Sequence, residues 1–300
     1  MYDKEHSEVN VLKGMDVNMK KNVETFIGCE AEYEEAQLVI FGAPFDSTTS
    51  YRPGTRYGSS AIRHESFGLE TYSPYQDKDL TDYAVFDYGD LELCFGSAEA
   101  ALAEIESLTR QILQDNKFPL LVGGEHLVTL GAFRAIVDKY PKVHVIHFDA
   151  HADLRDDYLG ARLSHACVIR RCHELVGDGR IHQFCIRSGE RAEFQFAREH
   201  TRLHKFNFEG LEAALEEIGD APIYFTIDLD CLDPSAFPGT GTPEAGGVSF
   251  MELLSAIELV CKYHVIGADV NELSPMLDAS GASTALACKV VRELMLAVLE

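Results

Sequence analysis

Acidic and imidazole side chains follow apolar runs at three places in the chain. Residues 143–148 have the pattern of a strand that is buried on both faces, and Asp149, His151 and Asp153 come directly after it at alternating positions. At extended spacing these three side chains point to one side. Clustered carboxylates lose solvation and repel one another unless a cation lies between them, so this segment predicts a metal site.

Two further apolar runs end in the same kind of residue. Residues 223–227 lead into Asp228 and Asp230, and residues 118–122 lead through a Gly-Gly-Glu turn to His126. Open α/β sheets bind their ligands at the carboxyl ends of parallel strands, so we expect these three ends to meet. The candidate ligands are two imidazoles and four carboxylates: His126, Asp149, His151, Asp153, Asp228 and Asp230.

The chemistry of this set indicates which ions it binds. It contains no thiolate, so it favours Mn²⁺ over Zn²⁺ or copper. Two divalent cations balance the charge of four aspartates, whereas a single ion leaves negative charge uncompensated at buried strand ends, at a cost of several kcal/mol. The segment at 228–233 lacks the Gly and terminal Glu of a calcium-binding EF-hand loop, and Asp233, next to a proline, is interpreted as a turn residue. We predict two Mn²⁺ per subunit, with a metal-free network of acids and imidazoles as the alternative.

Composition narrows the class of protein. The chain has 300 residues, of which 46% are hydrophobic, enough for the core of one large α/β domain or two smaller ones. A formal net charge of −23 argues against nucleic-acid binding and suits a cationic substrate. Eight cysteines occur singly, which is typical of reduced thiols in the cytosol. With no apolar run of signal-peptide or membrane-spanning type, we expect a cytoplasmic protein that does not contact a membrane.

Strand-like and helix-like segments alternate without repeats or a flexible linker. This predicts a single doubly wound α/β domain over residues 36–300, preceded by an extension, residues 1–35, that packs on the body or on a neighbouring subunit. The Gly/Ser/Thr-rich loop at 46–63 is long enough that we expect it to bind a ligand. Ser249 and Glu252 form a predicted capping box at the start of a helix. Strands are predicted at 37–41, 83–89, 118–122, 143–148, 181–187, 202–206, 222–229 and 264–270, and helices at 97–115, 127–140, 160–176, from 249, and at 282–299.

The order and spacing of these motifs resemble those of the ureohydrolases, the family of arginase, agmatinase and their relatives. The resemblance covers about residues 36–295 and is closest to bacterial agmatinases. It is carried by GlyGlyGluHis ending at His126, AspAlaHisAlaAsp at 149–153, SerHis at 164–165, the segment 228–247 and TyrArgProGlyThrArgTyrGly at 51–58.

The resemblance implies a three-layer α/β/α fold with an eight-stranded, mostly parallel sheet and a binuclear manganese centre. It also implies a homo-oligomer, a trimer or hexamer. By position in the motifs, one ion is held by His126, Asp149, Asp153 and Asp228, and the other by His151, Asp149, Asp228 and Asp230. Asp149 and Asp228 then bridge the ions, and Asp153 orients the bridging solvent.

The reaction that this centre suits is the hydrolysis of a guanidinium group. The guanidinium carbon is a poor electrophile, and two cations roughly 3.5–4 Å apart lower the pKa of a shared water and hold the hydroxide that attacks it. The resemblance assigns His165 as the proton shuttle to the leaving amine and Glu272 as the acid that binds the guanidinium. The alternatives are a helix-capping histidine and a solvated loop acid. Thr242 and the loop at 239–247 are expected to shape the wall, and Asp153, His165 and Glu272 are the predicted catalytic residues.

The substrate is predicted to be agmatine, cleaved to putrescine and urea. Residues 154–165 lack the Gly-Asn-His-Gly pattern with which arginases hold the amino-acid head, and Asp156 and Asp157 favour a cationic tail. Arg155 and Arg162 suit a carboxylate equally well, so guanidinobutyrase, formimidoylglutamase and arginase activities remain open. A non-catalytic metal-binding protein is the alternative of another class.

Overall fold

The computed structural model describes residues 22–299. In this part of the chain the strands are β1 (Leu38–Ala43), β2 (Tyr72–Ser73), β3 (Lys78–Asp79), β4 (Val85–Asp90), β5 (Phe118–Gly123), β6 (His144–Phe148), β7 (Ile181–Ile186), β8 (Arg202–Lys205), β9 (Ile223–Asp228) and β10 (Val265–Asn271). Strands β2 and β3 pair as a small antiparallel hairpin. The other strands form one eight-stranded sheet in the order β4-β1-β5-β10-β9-β6-β7-β8.

Every strand pairing within the eight-stranded sheet is parallel. Because the strands run in one direction, their carboxyl ends lie at one edge of the sheet. The register places Phe148 opposite Ile227 and Asn271 opposite Asp228. The ends of β6, β9 and β10 are therefore level, and the side chains that follow them start from neighbouring positions.

Eight helices cover the sheet in the described part of the chain. They are α1 (Gly58–Ser66), α2 (Ala98–Gln114), α3 (Thr129–Lys139), α4 (Val168–Val176), α5 (Arg191–His200), α6 (Leu211–Ile218), α7 (Phe250–Val260) and α8 (Ala282–Val298). Single turns of 3-10 helix occur at Thr55–Tyr57, Leu80–Asp82, His126–Val128, His165–Cys167, Leu229–Cys231 and Pro275–Leu277. The predicted capping box at Ser249 and Glu252 is present at the start of α7. Among residues 22–299, no helix combines the length and apolar character needed to cross a bilayer.

Side chains alternate between the two faces of the sheet, and each face has its own apolar layer. Leu38 and Ile40 of β1 pack in the layer covered by α1, α6, α7 and α8, whereas Val39 and Phe41 pack in the layer covered by α2, α3, α4 and α5. The predicted three-layer α/β/α architecture with an eight-stranded sheet is confirmed.

Strand β6 is anchored immediately before its polar end. Phe148 is fully buried and contacts the rings of Phe225, at a centroid distance of 4.9 Å and close to perpendicular, and of Phe208, at 4.5 Å. Truncating a buried phenylalanine typically costs about 3–5 kcal/mol, so this contact fixes the strand firmly. Because side chains alternate, anchoring Phe148 on one face holds His147 and Asp149 on the other.

The described part of the N-terminal extension lies on the edge strand β4. The Phe26 amide donates to Asp87 Oδ2 at 2.8 Å, Cys29 is buried, and Glu30 forms an antiparallel bridge with Phe86. Residues 1–21 lie outside the described part of the chain. The domain boundary at residue 36 stays a prediction.

Candidate metal centre

The six residues of the candidate ligand set lie together at the carboxyl edge of the sheet. His126 starts the 3-10 turn after β5, three members of the set follow β6, and Asp228 and Asp230 end β9 and enter the next 3-10 turn. Five of the six are buried, and the His151 side chain is 23% exposed. A solvent path therefore reaches the cluster on the His151 side.

Three carboxylates surround one nitrogen of His126. His126 Nδ1 lies 3.0 Å from Asp149 Oδ2, 3.1 Å from Asp153 Oδ2 and 3.4 Å from Asp228 Oδ2. These atoms form the first group of potential ligands.

A second group forms around His151. Its Nδ1 lies 2.9 Å from Asp230 Oδ2 and 3.4 Å from Asp149 Oδ1. Asp149 thus presents one oxygen to each group. This arrangement suits two neighbouring cations that share a bridging carboxylate.

Hydrogen bonds fix the tautomer of His126. Thr226 Oγ1 donates to Asp269 Oδ1 at 2.6 Å and lies 2.9 Å from His126 Nε2. Since the threonine proton goes to the carboxylate, His126 Nε2 carries the hydrogen that Thr226 accepts. The lone pair of Nδ1 is then directed at the carboxylates, as metal binding requires.

His147 is a neighbour that the sequence analysis did not assign. It lies two residues before Asp149 on the same face of β6, and its Nε2 is 2.8 Å from Asp149 Oδ2. The Gln183 amide donates to His147 Nδ1 at 3.1 Å, so the proton is on Nε2 and is donated to Asp149. His147 therefore orients a carboxylate, and its alternation with Asp149 in the sequence was the signal that could have identified it.

The electrostatics of the cluster fit bound cations. Burial raises the pKa of Asp153 to about 7, and the Asp149 carboxylate adds to this rise. Burial and the neighbouring Asp230 and Asp149 likewise raise the pKa of Asp228 well above its ordinary value. Bound cations would stabilise the ionised carboxylates and so counteract these rises in pKa.

Two orphaned buried atoms point to the same fit. Among residues 22–299, His126 Nδ1 and Asp230 Oδ2 are buried atoms that make no hydrogen bond of normal geometry. His126 Nδ1 belongs to the first group of potential ligands, and Asp230 Oδ2 belongs to the second. An unsatisfied buried polar atom is costly unless it has a partner such as a metal ion, so the donor set fits divalent cations.

The backbone around the centre adopts uncommon conformations. Asp153 has φ 51° and Glu272 has φ 71°, in the left-handed region that non-glycine residues seldom occupy. The Asp230 amide donates to Asp228 Oδ1 at 2.9 Å, and the Ala150 amide donates to Asp230 Oδ1 at 3.0 Å. These bonds orient the carboxylates so that their remaining oxygens face the cluster.

Glu272 follows β10 and lies beside the start of the His126 turn. Its Oε1 accepts the His126 amide hydrogen at 2.7 Å, and burial raises the pKa of its carboxyl group well above the ordinary value. The predicted alternative of a solvated loop acid is wrong, because Glu272 is only 5% exposed. A carboxylate has about four lone-pair sites, so acceptor capacity remains after this bond.

His165 lines a pocket beside the cluster. Its Nε2 lies 3.0 Å from Ser50 Oγ, and its amide donates to Thr48 Oγ1 at 3.1 Å. Thr48 in turn donates its amide hydrogen to the buried Glu125 Oε2 at 2.8 Å. The loop at 46–63 therefore positions His165, a role that the sequence analysis did not anticipate. Burial lowers the pKa of His165 to about 4, and the imidazoles of His151 and His126 contribute.

The pocket has a volume of about 290 Å³ and opens to solvent. Thr242 lies in its wall, and the loop at 239–247 is held in place by Arg52, whose guanidinium donates to the carbonyls of Thr240 and Gly241 at 2.8 and 3.1 Å. Other lining residues include Ser50, His151, Asp153, Arg155, Tyr158, His165, Ser188, Glu190 and Glu193.

The acids expected to favour a cationic tail are not in this pocket. Asp156 is 63% exposed and accepts from Arg171 at 2.7 Å, and Asp157 accepts the Gly160 amide hydrogen in a surface turn. The interpretation that they contact the substrate tail is wrong, because neither side chain lines the pocket. Arg162 also lies outside it, where it pairs with Glu174 at 3.0 Å.

The mouth of the pocket instead carries the guanidinium of Arg155, which lies between the carboxyl groups of Glu190 and Glu193. Arg155 lies 3.0 Å from Glu190 Oε1 and 3.5 Å from Glu193 Oε2. Sequence reasoning did not identify these glutamates, because they follow the metal residues by some forty positions in the chain and only the fold brings them near.

Comparison with known proteins agrees with this geometry. A model of the arginase family matches residues 36–297. The chain is 45% identical to agmatinase of Bacillus subtilis over 90% of this chain and 95% of the relative, and 40% identical to N(1)-aminopropylagmatine ureohydrolase of Thermococcus kodakarensis over 81% and 84%. The crystal structure of agmatine ureohydrolase of Thermoplasma volcanium superposes with a TM-score of 0.85 at 33% identity, covering 92% of this chain and 94% of the other. The resemblance to the ureohydrolases is confirmed, and the chain belongs to the arginase family.

Proposed function

We propose that this protein hydrolyses agmatine to putrescine and urea, with two Mn²⁺ bound per subunit. The observation that carries the proposal is the pair of ligand groups that share Asp149 beside a solvent-open pocket, which two of the ligands, His151 and Asp153, line. Identity of 45% to an agmatinase over nearly the whole of both chains supports the choice of substrate.

Each ion has four proposed ligands. His126, Asp149, Asp153 and Asp228 would hold one ion, and His151, Asp149, Asp228 and Asp230 would hold the other, as the resemblance to the ureohydrolases implies. Four carboxylates outnumber two imidazoles in this set, and no thiolate is present, so the donors are mostly oxygen, which favours manganese. Two bound divalent cations supply the acidity that turns a shared water into a nucleophile at neutral pH.

The remaining site residues bind the substrate and move protons. Glu272 accepts N–H bonds from the guanidinium with the oxygen lone pairs that the His126 amide does not use. With its pKa lowered to about 4, His165 is neutral at physiological pH, so its imidazole accepts the proton released by the attacking water and delivers it to the leaving amine. Asp153 orients the attacking solvent, and Thr242 forms part of the wall.

The charges at the pocket mouth favour a cationic tail. Arg155 is paired with the exposed Glu190 at 3.0 Å and lies 3.5 Å from the buried Glu193, so its positive charge is already compensated. The mouth therefore offers no free cation to the carboxylate of arginine, and Glu190 suits the free amine of agmatine. Guanidinobutyrate is the second candidate, because Arg155 can pair with a carboxylate if it leaves Glu190.

Urea release tests the proposal directly. The Mn²⁺-loaded protein is offered agmatine, arginine, 4-guanidinobutyrate, formiminoglutamate and N(1)-aminopropylagmatine, and the metal content is measured on the same sample. We expect the highest kcat/KM for urea release with agmatine. A higher value for arginine or guanidinobutyrate overturns the choice of substrate, and no turnover of any guanidino compound by the fully loaded protein overturns the proposed reaction.

Substitution at the mouth separates the two tail chemistries. Arg155→Gln is expected to lower kcat/KM for guanidinobutyrate more than for agmatine, because only guanidinobutyrate has a carboxylate that needs the guanidinium of Arg155. Arg162→Gln is the matched control, because its side chain pairs with Glu174 outside the pocket. Equal effects of Arg155→Gln on both substrates contradict the proposed role of the mouth.

We also propose that the protein is cytoplasmic and forms a trimer or hexamer of identical chains. The cytoplasmic location is supported by the cysteines, all eight of which are free, as in a reducing compartment. Light scattering on the purified protein tests the assembly, and a monomer at micromolar concentration would contradict it.

A further inference from the structure

A second cluster of metal-ligand side chains lies at the opposite edge of the sheet from the strand-end centre. His173 is in the last turn of α4, Asp178 is in the turn that leads into β7, and His200 is the last residue of α5. The turn precedes the amino end of β7, whereas the first centre follows the carboxyl ends of the strands. The two clusters are therefore separate.

The three side chains converge on one oxygen. His173 Nε2 lies 2.8 Å and His200 Nδ1 lies 2.7 Å from Asp178 Oδ1. Asp178 is 66% exposed, His200 is 32% exposed and His173 is 13% exposed, so a hydrated ion can reach the cluster from solvent.

The backbone holds the three residues in register. The Gly177 amide donates to the carbonyl of His173 at 2.8 Å, and the Gly179 amide donates to the carbonyl of His200 at 3.0 Å. Asp178 lies between these two glycines, so both histidines are tied to the ends of one three-residue turn. Both histidines are also in the final turns of their helices, where the helix dipole favours a positive charge.

Phe196 fixes the planes of the two imidazole rings. It stacks on His200 at a centroid distance of 4.2 Å and meets His173 edge-on at 5.0 Å. The guanidinium of Arg170 covers the Phe196 ring at 3.6 Å. Rings held in this way lose little freedom when they bind a ligand, which lowers the entropic cost of coordination.

We propose that His173, Asp178 and His200 form a cation site for a zinc-class divalent ion, independent of the strand-end centre. Two imidazoles and one carboxylate suit Zn²⁺, Ni²⁺ or Cu²⁺ and leave the remaining positions to water. A tetrahedral ion with ligands at about 2.0–2.1 Å separates its donor atoms by about 3.3 Å. The present separations require the ligands to open by about half an ångström.

The Asp178 turn permits this adjustment. Gly177 and Gly179 have φ of 79° and 74°, and no heavy atom lies within 4 Å of a Cβ position at Gly177. The Asp178 side chain is 66% exposed, so it can move outwards without displacing packed side chains. The bound ion then ties the end of α4 to the end of α5.

Metal counting tests the site in the Mn²⁺-loaded protein. The sample is incubated with Zn²⁺, freed of unbound metal by gel filtration, and analysed for both elements. We expect the wild type to gain one zinc per chain with its manganese content unchanged. Asp178→Asn and His200→Gln are expected to lose that zinc while they keep the wild-type manganese content and urea-release rate.

The control is His264→Gln, which removes an exposed histidine outside the cluster and is expected to bind zinc like the wild type. A second readout is thermal: Zn²⁺ should raise the Tm of the wild type and of His264→Gln but not of Asp178→Asn, because only a folded site that binds the ion is stabilised. Zinc uptake by Asp178→Asn and His200→Gln equal to that of the wild type overturns the proposal. The proposal is also overturned if the wild type loses as much manganese as it gains zinc, because the zinc then replaces manganese at the strand-end centre. His173, Asp178 and His200 would in that case form only a hydrogen-bonded group.

Discussion

Replacing Thr226 with valine is expected to weaken metal binding although it changes no proposed ligand. Valine has nearly the shape of threonine and suits β9, so the strand should be retained. The substitution removes the hydroxyl that accepts from His126 Nε2 and donates to Asp269 Oδ1. His126 then loses the partner that keeps its proton on Nε2.

The magnitude follows from the buried hydrogen bond. To bind a cation through Nδ1, the His126 ring must carry its proton on Nε2, and without an acceptor that buried donor costs about 1–3 kcal/mol. The metal-free ring avoids this cost, since its proton can move to Nδ1, which faces the carboxylates of Asp149 and Asp153 at 3.0 and 3.1 Å. The penalty therefore falls on binding, and we expect affinity for the ion on the His126 side to fall about 10–100-fold.

Titration of the metal-free protein with Mn²⁺, followed by electron paramagnetic resonance, measures this affinity. Thr226→Ser is the matched control, because it keeps the hydroxyl and is expected to bind like the wild type. At saturating Mn²⁺ the valine variant should recover most of its kcat. Unchanged affinity in Thr226→Val refutes the assigned hydrogen-bond chain, and equal loss in Thr226→Ser indicates that packing matters and the hydroxyl does not.

Four further substitutions and one control test other parts of the molecule. Asp228→Asn is expected to lose both metal and urea release, whereas His165→Ala keeps its metal and loses about 10²-fold or more in kcat; equal metal loss in both would contradict a proton-shuttle role. Burial lowers the pKa of His182 from 6.5 to about 4. Below pH 6.5 the unfolded chain therefore binds a proton that the folded chain does not, so the free energy of unfolding falls as the pH drops. His182→Gln should therefore reduce the loss of unfolding free energy between pH 7 and pH 5 by about 2 kcal/mol, measured by urea denaturation; an unchanged loss would contradict this. Gly54 has φ 140°, and an added Cβ would lie 2.4 Å from the Ser274 hydroxyl. Gly54→Ala should therefore lower the free energy of unfolding by about 1–3 kcal/mol and raise KM. The control Gly96→Ala, where the added Cβ meets open space, should change neither quantity.

The strands that carry the candidate ligands were predictable because their signals are local. A short apolar run that stops at alternating acids marks both the strand and its end, and the predicted strand at 143–148 differs from β6 by one residue. The predicted strand at 222–229 differs from β9 by one residue at each end. Since parallel strands bring their carboxyl ends to one edge, the meeting of these residues followed from the fold class.

Elements without a local signal were missed. Helices α5 and α6 have only ten and eight residues, and the charged residues of α5 resemble a surface loop. The position of β10 between β5 and β9 depends on pairings between distant parts of the chain, which no local pattern encodes.

The groups that surround the metal centre could not be predicted from the sequence either. Thr226 and Asp269 lie on neighbouring strands, and their link to His126 depends on strand order. Asp156 and Asp157 were assigned to substrate binding by proximity in sequence, yet they pair with Arg171 and with the Gly160 amide outside the pocket. Ligands could be proposed from motifs, whereas the groups that orient them required the fold.

The central claim is that two cations bind at the strand ends and share Asp149. Anomalous diffraction at the manganese edge from crystals grown with Mn²⁺ tests it most directly. We expect two peaks in each chain, one within bonding distance of His126 Nδ1 and the other within bonding distance of His151 Nδ1, with an oxygen of Asp149 beside each. A single peak at full occupancy, or manganese bound away from these residues, would contradict the claim.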